Sequence, residues 1–425
     1  MNCEKLSNPS MDKKKKRKHT GKKAKEECTM EKKKKNHKSK NILEILPLEL
    51  IHRILLRVPI RHLARLRCVS KLWCSLISDP DFAEFHFHHS PASTNACFLI
   101  KYPTKAQFVY LDDNDASQKE MCPPFKKKPP SDFAVLGSCR GFILLYRHPH
   151  FLVVWNPLTG FSKRISYSHL SPSHKYRGIK LPYCARLLGF GYDASQDDYL
   201  LLVTWCHCDR QYHLDCLSLR TNSWINLNAA LSNPFLVLDS YSCGVFLNGA
   251  IHWLSFPLTA YKDAILIFDT KERTFSMMSA PEQLVMSLCL FSGLALLGGC
   301  LALYYHNHGS CNTDIWVMKE YKVHSSWNLY QIPCKDFQPL LLSSNGDIIG
   351  RGCTSYDKVG YFIYNVREDL LYRFRNLCCP SPMSETATVY TESLLPFPSD
   401  VEDKKKEIGH QNQNDVKQGK RIRRE

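Results

Sequence analysis

Hydrophobic positions along the chain follow two rhythms, one helical and one strand-like. Leu50, Ile51, Ile54, Leu55 and Val58 recur at helical spacing, which predicts a helix with Pro47 in its first turn and Pro59 as its stop. A second series, Leu63, Leu66, Cys68, Val69, Leu72, Trp73, Leu76 and Ile77, predicts one or two further short helices ending near Asp79-Pro80. A unit of about 40 residues has little core of its own and leaves apolar side chains for a partner. Arg53, Arg57, Arg61, Arg65, Arg67 and Lys71 lie among these positions. Such a basic rim fits an acidic partner, and equally an ordinary solvated helix face.

From about residue 95 the helical period disappears. Runs of Leu, Val, Ile, Phe, Tyr and Trp take over, bounded by Gly, Asn, Asp and Pro, which is the pattern of strands. Turn signals recur at Gly249, Gly299 and Gly346, spaced 50 and 47 residues apart, and Gly141 precedes Gly249 by 108. A second signature, a strand ending in a polar turn and then an aromatic, appears at 154–161, 217–224, 267–275 and 364–372. A repeat near 50 residues of strand-plus-turn units is the kelch or propeller signature, and residues 95–395 have room for about six such blades. A pair of β-sandwiches is the alternative, which the regular period disfavours. Trp155, Trp205, Trp224, Trp253, Trp316 and Trp327 fit blade core better than a recognition surface, because large aromatics suit half-buried sheet faces.

Two stretches carry a family resemblance. Residues 46–82, with Leu46-Pro47 at the start, Val69-Ser70-Lys71 and Trp73 at the centre and Asp79-Pro80 with Phe82 at the end, closely resemble an F-box. Residues 138–142, 155–160, 189–193, 197–199, 248–253, 297–301, 314–321 and 325–327 resemble, in order, the F-box-associated interaction domain of plant F-box proteins. The departures are Phe161 to Leu188 and Cys206 to Cys216. Together these readings give an α+β multidomain chain: a Lys-rich tail (1–40) kept disordered by like-charge repulsion and a lack of apolar residues, an all-α F-box (41–85) and an all-β kelch-like propeller (95–395), as the resemblance implies, and a second disordered basic tail (396–425). The resemblance implies a non-catalytic receptor subunit of an Skp–cullin–F-box ubiquitin ligase. Leu46, Pro47, Leu50, Ile51, Ile54, Leu55, Val69 and Trp73 would form or support the Skp-type adaptor interface. The adaptor would link the chain to a cullin-RING scaffold, and the β domain would bind a target protein that the sequence does not name. The alternative is a nuclear nucleic-acid-associated or adaptor protein acting outside the ligase.

Charge sharpens this reading through its position. The net charge is +17, but residues 1–40 alone hold 16 Lys/Arg and 5 Asp/Glu, and residues 401–425 hold 8 and 5. Subtracting both from the totals of 57 and 40 leaves 33 basic and 30 acidic residues in a nearly neutral body. Lys13, Lys14, Lys15, Lys16, Arg17 and Lys18 form a run suited to a nuclear import receptor, which makes the nucleus the expected compartment, with the cytoplasm second. The tails can also touch nucleic acid nonspecifically. No nucleic-acid reading module accompanies them.

The 19 cysteines are scattered and no apolar run occupies residues 1–40, so reduced, mostly buried thiols are expected rather than a secreted disulfide scaffold. Leu284–Tyr305 is uncharged for 22 residues, long enough to span a bilayer. Gly298-Gly299 in its midst predicts a buried hairpin instead, and no membrane partner is expected. No nucleophile elbow, phosphate-cradling loop or dinucleotide fingerprint is present, and no cofactor is expected. Gly189-Phe190-Gly191 lacks a third glycine and is expected at a strand end. Cys206, His207, Cys208, His213 and Cys216 offer zinc-type donors at an unusual spacing; a hairpin turning at Asp209–Gln211 explains them without a metal.

Overall fold

A computed structural model describes residues 46–89, 95–101, 105–111, 116–121, 124, 133–147, 151–166, 185–206, 212–227, 243–254, 264–282, 292–307, 309–310, 312–353, 359–374 and 387–398. The basic runs and the Cys206-to-Cys216 hairpin tip lie outside them. The chain divides into Met1–Leu48 and Glu49–Glu425, so nearly all described residues belong to one unit.

Among the described residues, four short helices come first: α1 (Leu48–Leu55), α2 (Ile60–Leu66), α3 (Lys71–Ile77) and α4 (Pro80–His89). Each boundary follows from local chemistry. Pro59 precedes α2, and the Ser70 hydroxyl caps α3 by accepting from the Trp73 N–H at 3.1 Å. Asp79 caps α4, accepting from the Phe82 N–H at 3.0 Å, with Pro80 at the first helical position. Ile51, Leu55, Ile60, Leu63, Ile77, Phe82 and Ala83 are buried.

Among the described residues the β region is a closed ring of six four-stranded antiparallel blades, the third and fourth joined into one eight-stranded sheet by a short parallel pairing. The first contains β1 (Asn95–Lys101), β2 (Lys105–Leu111) and β3 (Ala116–Met121); the second, β4 (Phe133–Cys139), β5 (Phe142–Arg147), β6 (Phe151–Trp155) and β7 (Ser162–Ser166). The third runs β8 (Ala185–Asp193), β9 (Asp198–Cys206), β10 (Tyr212–Ser218) and β11 (Ser223–Asn226). The fourth runs β12 (Cys243–Leu247), β13 (Ala250–Leu254), β14 (Ile265–Asp269) and β15 (Phe275–Met278). The fifth comprises β16 (Ser292–Leu297), β17 (Cys300–Asn307), β18 (Asn312–Met318) and β19 (Trp327–Ile332). The sixth comprises β20 (Lys335–Leu342), β21 (Ile348–Cys353), β22 (Val359–Asn365) and β23 (Leu370–Arg373). The last strand, β24 (Ala387–Thr391), returns to pair with β1, from Asn95 opposite Thr391 to Leu99 opposite Ala387. The inner strands then follow one another round the axis as β24, β4, β8, β12, β16 and β20.

The recurring turns of the sequence are the recurring hairpins of this propeller. Arg140-Gly141, Asn248-Gly249 and Gly298-Gly299 all have positive φ and join the first two strands of their sheets, as two-residue hairpin turns require. The polar turns join the third and fourth strands. At Asn156, Asp269 and Asn365 a side-chain oxygen accepts from the backbone N–H groups two and three residues on. The uncharged stretch contains the β16–β17 hairpin, and among the described residues no helix is long and apolar enough to cross a membrane.

Gly189 and Gly191 correct one expectation: they lie inside β8, not at its end. A Cβ on Gly189 would meet the Trp253 ring at 2.5 Å, and one on Gly191 would meet Ile251 at 2.9 Å. These glycines let the fourth sheet press against β8, which also makes two parallel rungs with β12. Trp155, Trp253, Trp316 and Trp327 are buried. Trp224 is half-buried, and Trp205 is a β9 position opposite His213.

Candidate protein-interaction surfaces

The apolar stripe of α1 is wider than the core beneath it. Ile51 and Leu55, one turn apart, point into the unit and are buried, whereas Leu50 and Ile54, also one turn apart, are exposed. Val69 and Leu72, flanking the start of α3, are exposed as well. Leu46, Pro47 and Leu48 are exposed, and Trp73 is half-buried. The eight expected interface residues therefore divide: Leu46, Pro47, Leu50, Ile54 and Val69 are available to a partner, Ile51 and Leu55 hold the helix in place, and Trp73 does some of each. Leu48 and Leu72, both exposed, were missed by the motif-based expectation, although Leu72 stood in the apolar pattern.

Helix α4 is fastened back onto the others through His86 and Phe82. The buried His86 ring lies 3.1 Å from the Val58 carbonyl through Nε2, and Phe82 meets His52 edge-on with centroids 5.1 Å apart. Burial pushes the His86 pKa down.

The helical unit also grips the propeller. Arg61 of α2 is not part of the basic rim: its Nε donates to both oxygens of Glu392 at 2.9 and 2.8 Å. Arg53, Arg57, Arg65 and Lys71 do stay exposed. In the opposite sense, Arg140, on the β4–β5 turn, donates through Nη2 to Glu84 of α4 at 2.5 Å. Burial works against the Glu84 charge, yet the bonds and charges of Arg140 and His88 hold its carboxyl below the usual value. The helical unit thus lies at the end of the propeller that carries the first-to-second-strand hairpins. Among the described residues, the ends where second strands finish and third strands begin, such as Arg147 and Phe151, lie at the opposite end of the strands.

Of the donor set of the third sheet, Cys206, His213 and Cys216 fall on described strands, and His207 and Cys208 lie outside the described residues. Cys216 sits opposite Leu202 in the rungs and its buried thiol is pushed up to about 12, so it remains protonated. Cys206 and His213 occupy neighbouring rungs, opposite Tyr212 and Trp205. Among the described residues no cluster of three or more His, Cys, Asp or Glu is placed to hold a metal. Of the described thiols, Cys139, Cys216 and Cys334 are buried, Cys300 and Cys353 half-buried, and Cys68 and Cys74 exposed, and none of these is in a disulfide.

A small helical unit with uncovered apolar side chains, seated on a six-bladed propeller, defines a two-module protein of the interaction class. Family comparison makes this specific: an F-box domain matches residues 43–85 and an F-box associated beta propeller domain matches residues 97–396. The chain belongs to the F-box proteins that carry this associated propeller. It is 29% identical to the F-box protein CPR1 of Arabidopsis thaliana over 304 residues, covering 66% of this chain and 71% of that protein. It is 28% identical to the F-box/kelch-repeat protein At3g23880 of the same plant over 329 residues, covering 72% and 84%.

Proposed function

We propose that the protein is the substrate-recognition subunit of an Skp–cullin–F-box ubiquitin ligase. The observation that carries this reading is the pairing of an F-box whose Leu50, Ile54, Val69 and Leu72 are exposed with a propeller whose described ion pairs to the helical unit lie at its first-to-second-strand hairpin end. An Skp-type adaptor covers the apolar side chains, and the exposed Arg53, Arg57 and Arg65 suit an acidic surface around them. Through the adaptor the chain joins a cullin-RING scaffold, and the far end of the propeller holds a target protein. The chain performs no bond chemistry in this scheme. It raises the concentration of a target lysine beside a thioester carried by another subunit. Replacing Leu46→Ala and Pro47→Ala together is expected to abolish capture of purified adaptor while the propeller stays folded; undiminished capture refutes the docking assignment.

The basic run Lys13–Lys18 supports delivery to the nucleus by an import receptor as part of the same proposal. A reporter fused to residues 1–40 is expected to accumulate in nuclei, and a uniform distribution refutes this address.

A further inference from the structure

Beyond the closing strand β24, the chain does not leave the propeller. Residues 392–397 run on beneath the second and third sheets, and Glu392, Ser393, Leu394, Leu395 and Phe397 are all buried. Ser393 passes so close over the Arg140-Gly141 turn that a Cβ on Gly141 would lie 2.1 Å from the Ser393 Cβ. The buried Asn156 amide donates to the Ser393 carbonyl at 2.9 Å. Phe397 then inserts between sheets, stacked on Phe161 at 5.0 Å and edge-on to Phe142 at 5.6 Å.

The same segment holds the helical unit. Glu392 receives Arg61, whose guanidinium also lies 4.0 Å above the Tyr110 ring of β2. Arg140, on the turn that the segment crosses, reaches Glu84 while its guanidinium lies 4.0 Å above the Tyr192 ring of β8 and 5.1 Å from that of Phe87 in α4. The two ion pairs therefore run in opposite directions, one cation from the helices and one from the propeller. They attach α2 and α4 separately. A single attachment permits rotation about itself, whereas two on different helices fix an orientation. Both cations are flanked by aromatic faces, and the Glu392 carboxylate is withdrawn from water, where charge pairing is strong and its loss is felt.

We propose that residues 392–397, with Arg61, Glu84 and Arg140, form a clasp that sets the orientation of the helical unit on the propeller. These are positioning residues. Under the ligase reading, on which this part of the inference rests, they fix where a target sits relative to the adaptor. A join that pivots spreads the target over many positions and lowers its effective concentration at the thioester; a clasped one does not.

The test uses the full chain, with p-azidophenylalanine placed at exposed Ser75 of α3 and Asn328 of β19 for a donor–acceptor dye pair. Single-molecule energy transfer on the otherwise unaltered chain is expected to give one narrow distance population. Glu84→Gln with Glu392→Gln is expected to broaden it, with capture of purified Skp-type adaptor and the fluorescence of the buried tryptophans unchanged. Should that pair unfold the helical unit, Glu392→Gln alone provides the comparison. Arg61→Glu is expected to broaden the population and the exchanged pair Arg61→Glu with Glu392→Arg to narrow it again, a rescue that general loss of stability does not produce. A folded glutamine variant as narrow as the unaltered chain overturns the clasp. If the unaltered chain fails to capture the adaptor, the ligase reading falls, and the distance populations still decide the clasp.

Discussion

Phe397 lies nearly parallel to Tyr199, ring centroids 5.9 Å apart and planes 10° from coplanar, although the two residues are 198 positions apart in the sequence. Tyr199 starts the second strand of the third sheet, and Phe397 comes after the last strand of the ring. The contact seals the seam between the second and third sheets with a residue that also continues the segment gripping Arg61. Phe397→Ala is expected to leave an aromatic-sized cavity and to cost about 3–5 kcal/mol, read as a lowered urea midpoint. A change below about 1 kcal/mol would mean the seam collapses around the gap or is held elsewhere.

The faces of α1 give a sharper contrast. Ile54 is 53% exposed and Leu55 is fully buried, although they are neighbours in sequence. Ile54→Asp is expected to leave folding stability within about 0.5 kcal/mol of the unaltered chain and to remove adaptor binding. Leu55→Asp is expected to unfold the helical unit, because it buries an unpaired charge. Circular dichroism and adaptor capture, measured on both variants, separate the two roles.

His252 makes stability depend on pH. It is buried between the fourth and fifth sheets, with Nδ1 3.1 Å from the Val245 carbonyl and Nε2 2.8 Å from the Tyr321 hydroxyl. Burial lowers its pKa to about 4. An unfolded histidine takes up its proton near pH 6.5, whereas the folded one resists until about pH 4. The stabilisation is therefore complete above pH 6.5 and is lost progressively as the pH falls towards 4, on the order of 3 kcal/mol in all. His86, also lowered by burial, acts in the same direction. Urea midpoints at pH 7 and pH 4.5 are expected to differ less in His252→Gln than in the unaltered chain; an equal difference would assign the acid sensitivity to other groups.

Gly244 tests the close approach of the third and fourth sheets. A Cβ there would lie 2.5 Å from both Ile251 and Trp253, whose indole N–H donates to the Leu188 carbonyl at 2.8 Å. Gly244→Ala is expected to cost about 1–3 kcal/mol by forcing the tryptophan from this place. Gly309→Ala, where the nearest atom is 3.4 Å away, is expected to be neutral in the same thermal melt.

Much of this architecture was legible in the sequence because its signals are local. The glycines at 141, 249 and 299 mark hairpins whose backbone needs positive φ, and a spacing near 50 residues counts the blades. The asparagine and aspartate at 156, 269 and 365 mark the second set of turns by hydrogen bonds within three residues. What was not legible depends on residues far apart in the chain. No pattern near Val389 announces that its strand pairs with Cys97 to close the ring. Phe397 fell by composition in the second basic tail, yet it is buried and the packed chain continues to Pro398, past the expected limit at residue 395. Arg61 looked like one more member of a solvated helix face, because its partner Glu392 lies 331 residues away. Arg140 was visible only as part of a family motif, and its role appears once Glu84 is seen beside it.

The central claim is that the uncovered apolar residues of the helical unit are a docking site for an Skp-type adaptor. Gel filtration of the full chain mixed with purified adaptor and the amino-terminal half of a cullin tests it most directly. A single co-eluting complex with one copy of each protein is expected, which Leu50→Asp combined with Ile54→Asp dissolves into a free, still folded chain. Separate elution of the unaltered chain, with its propeller folded, would contradict it.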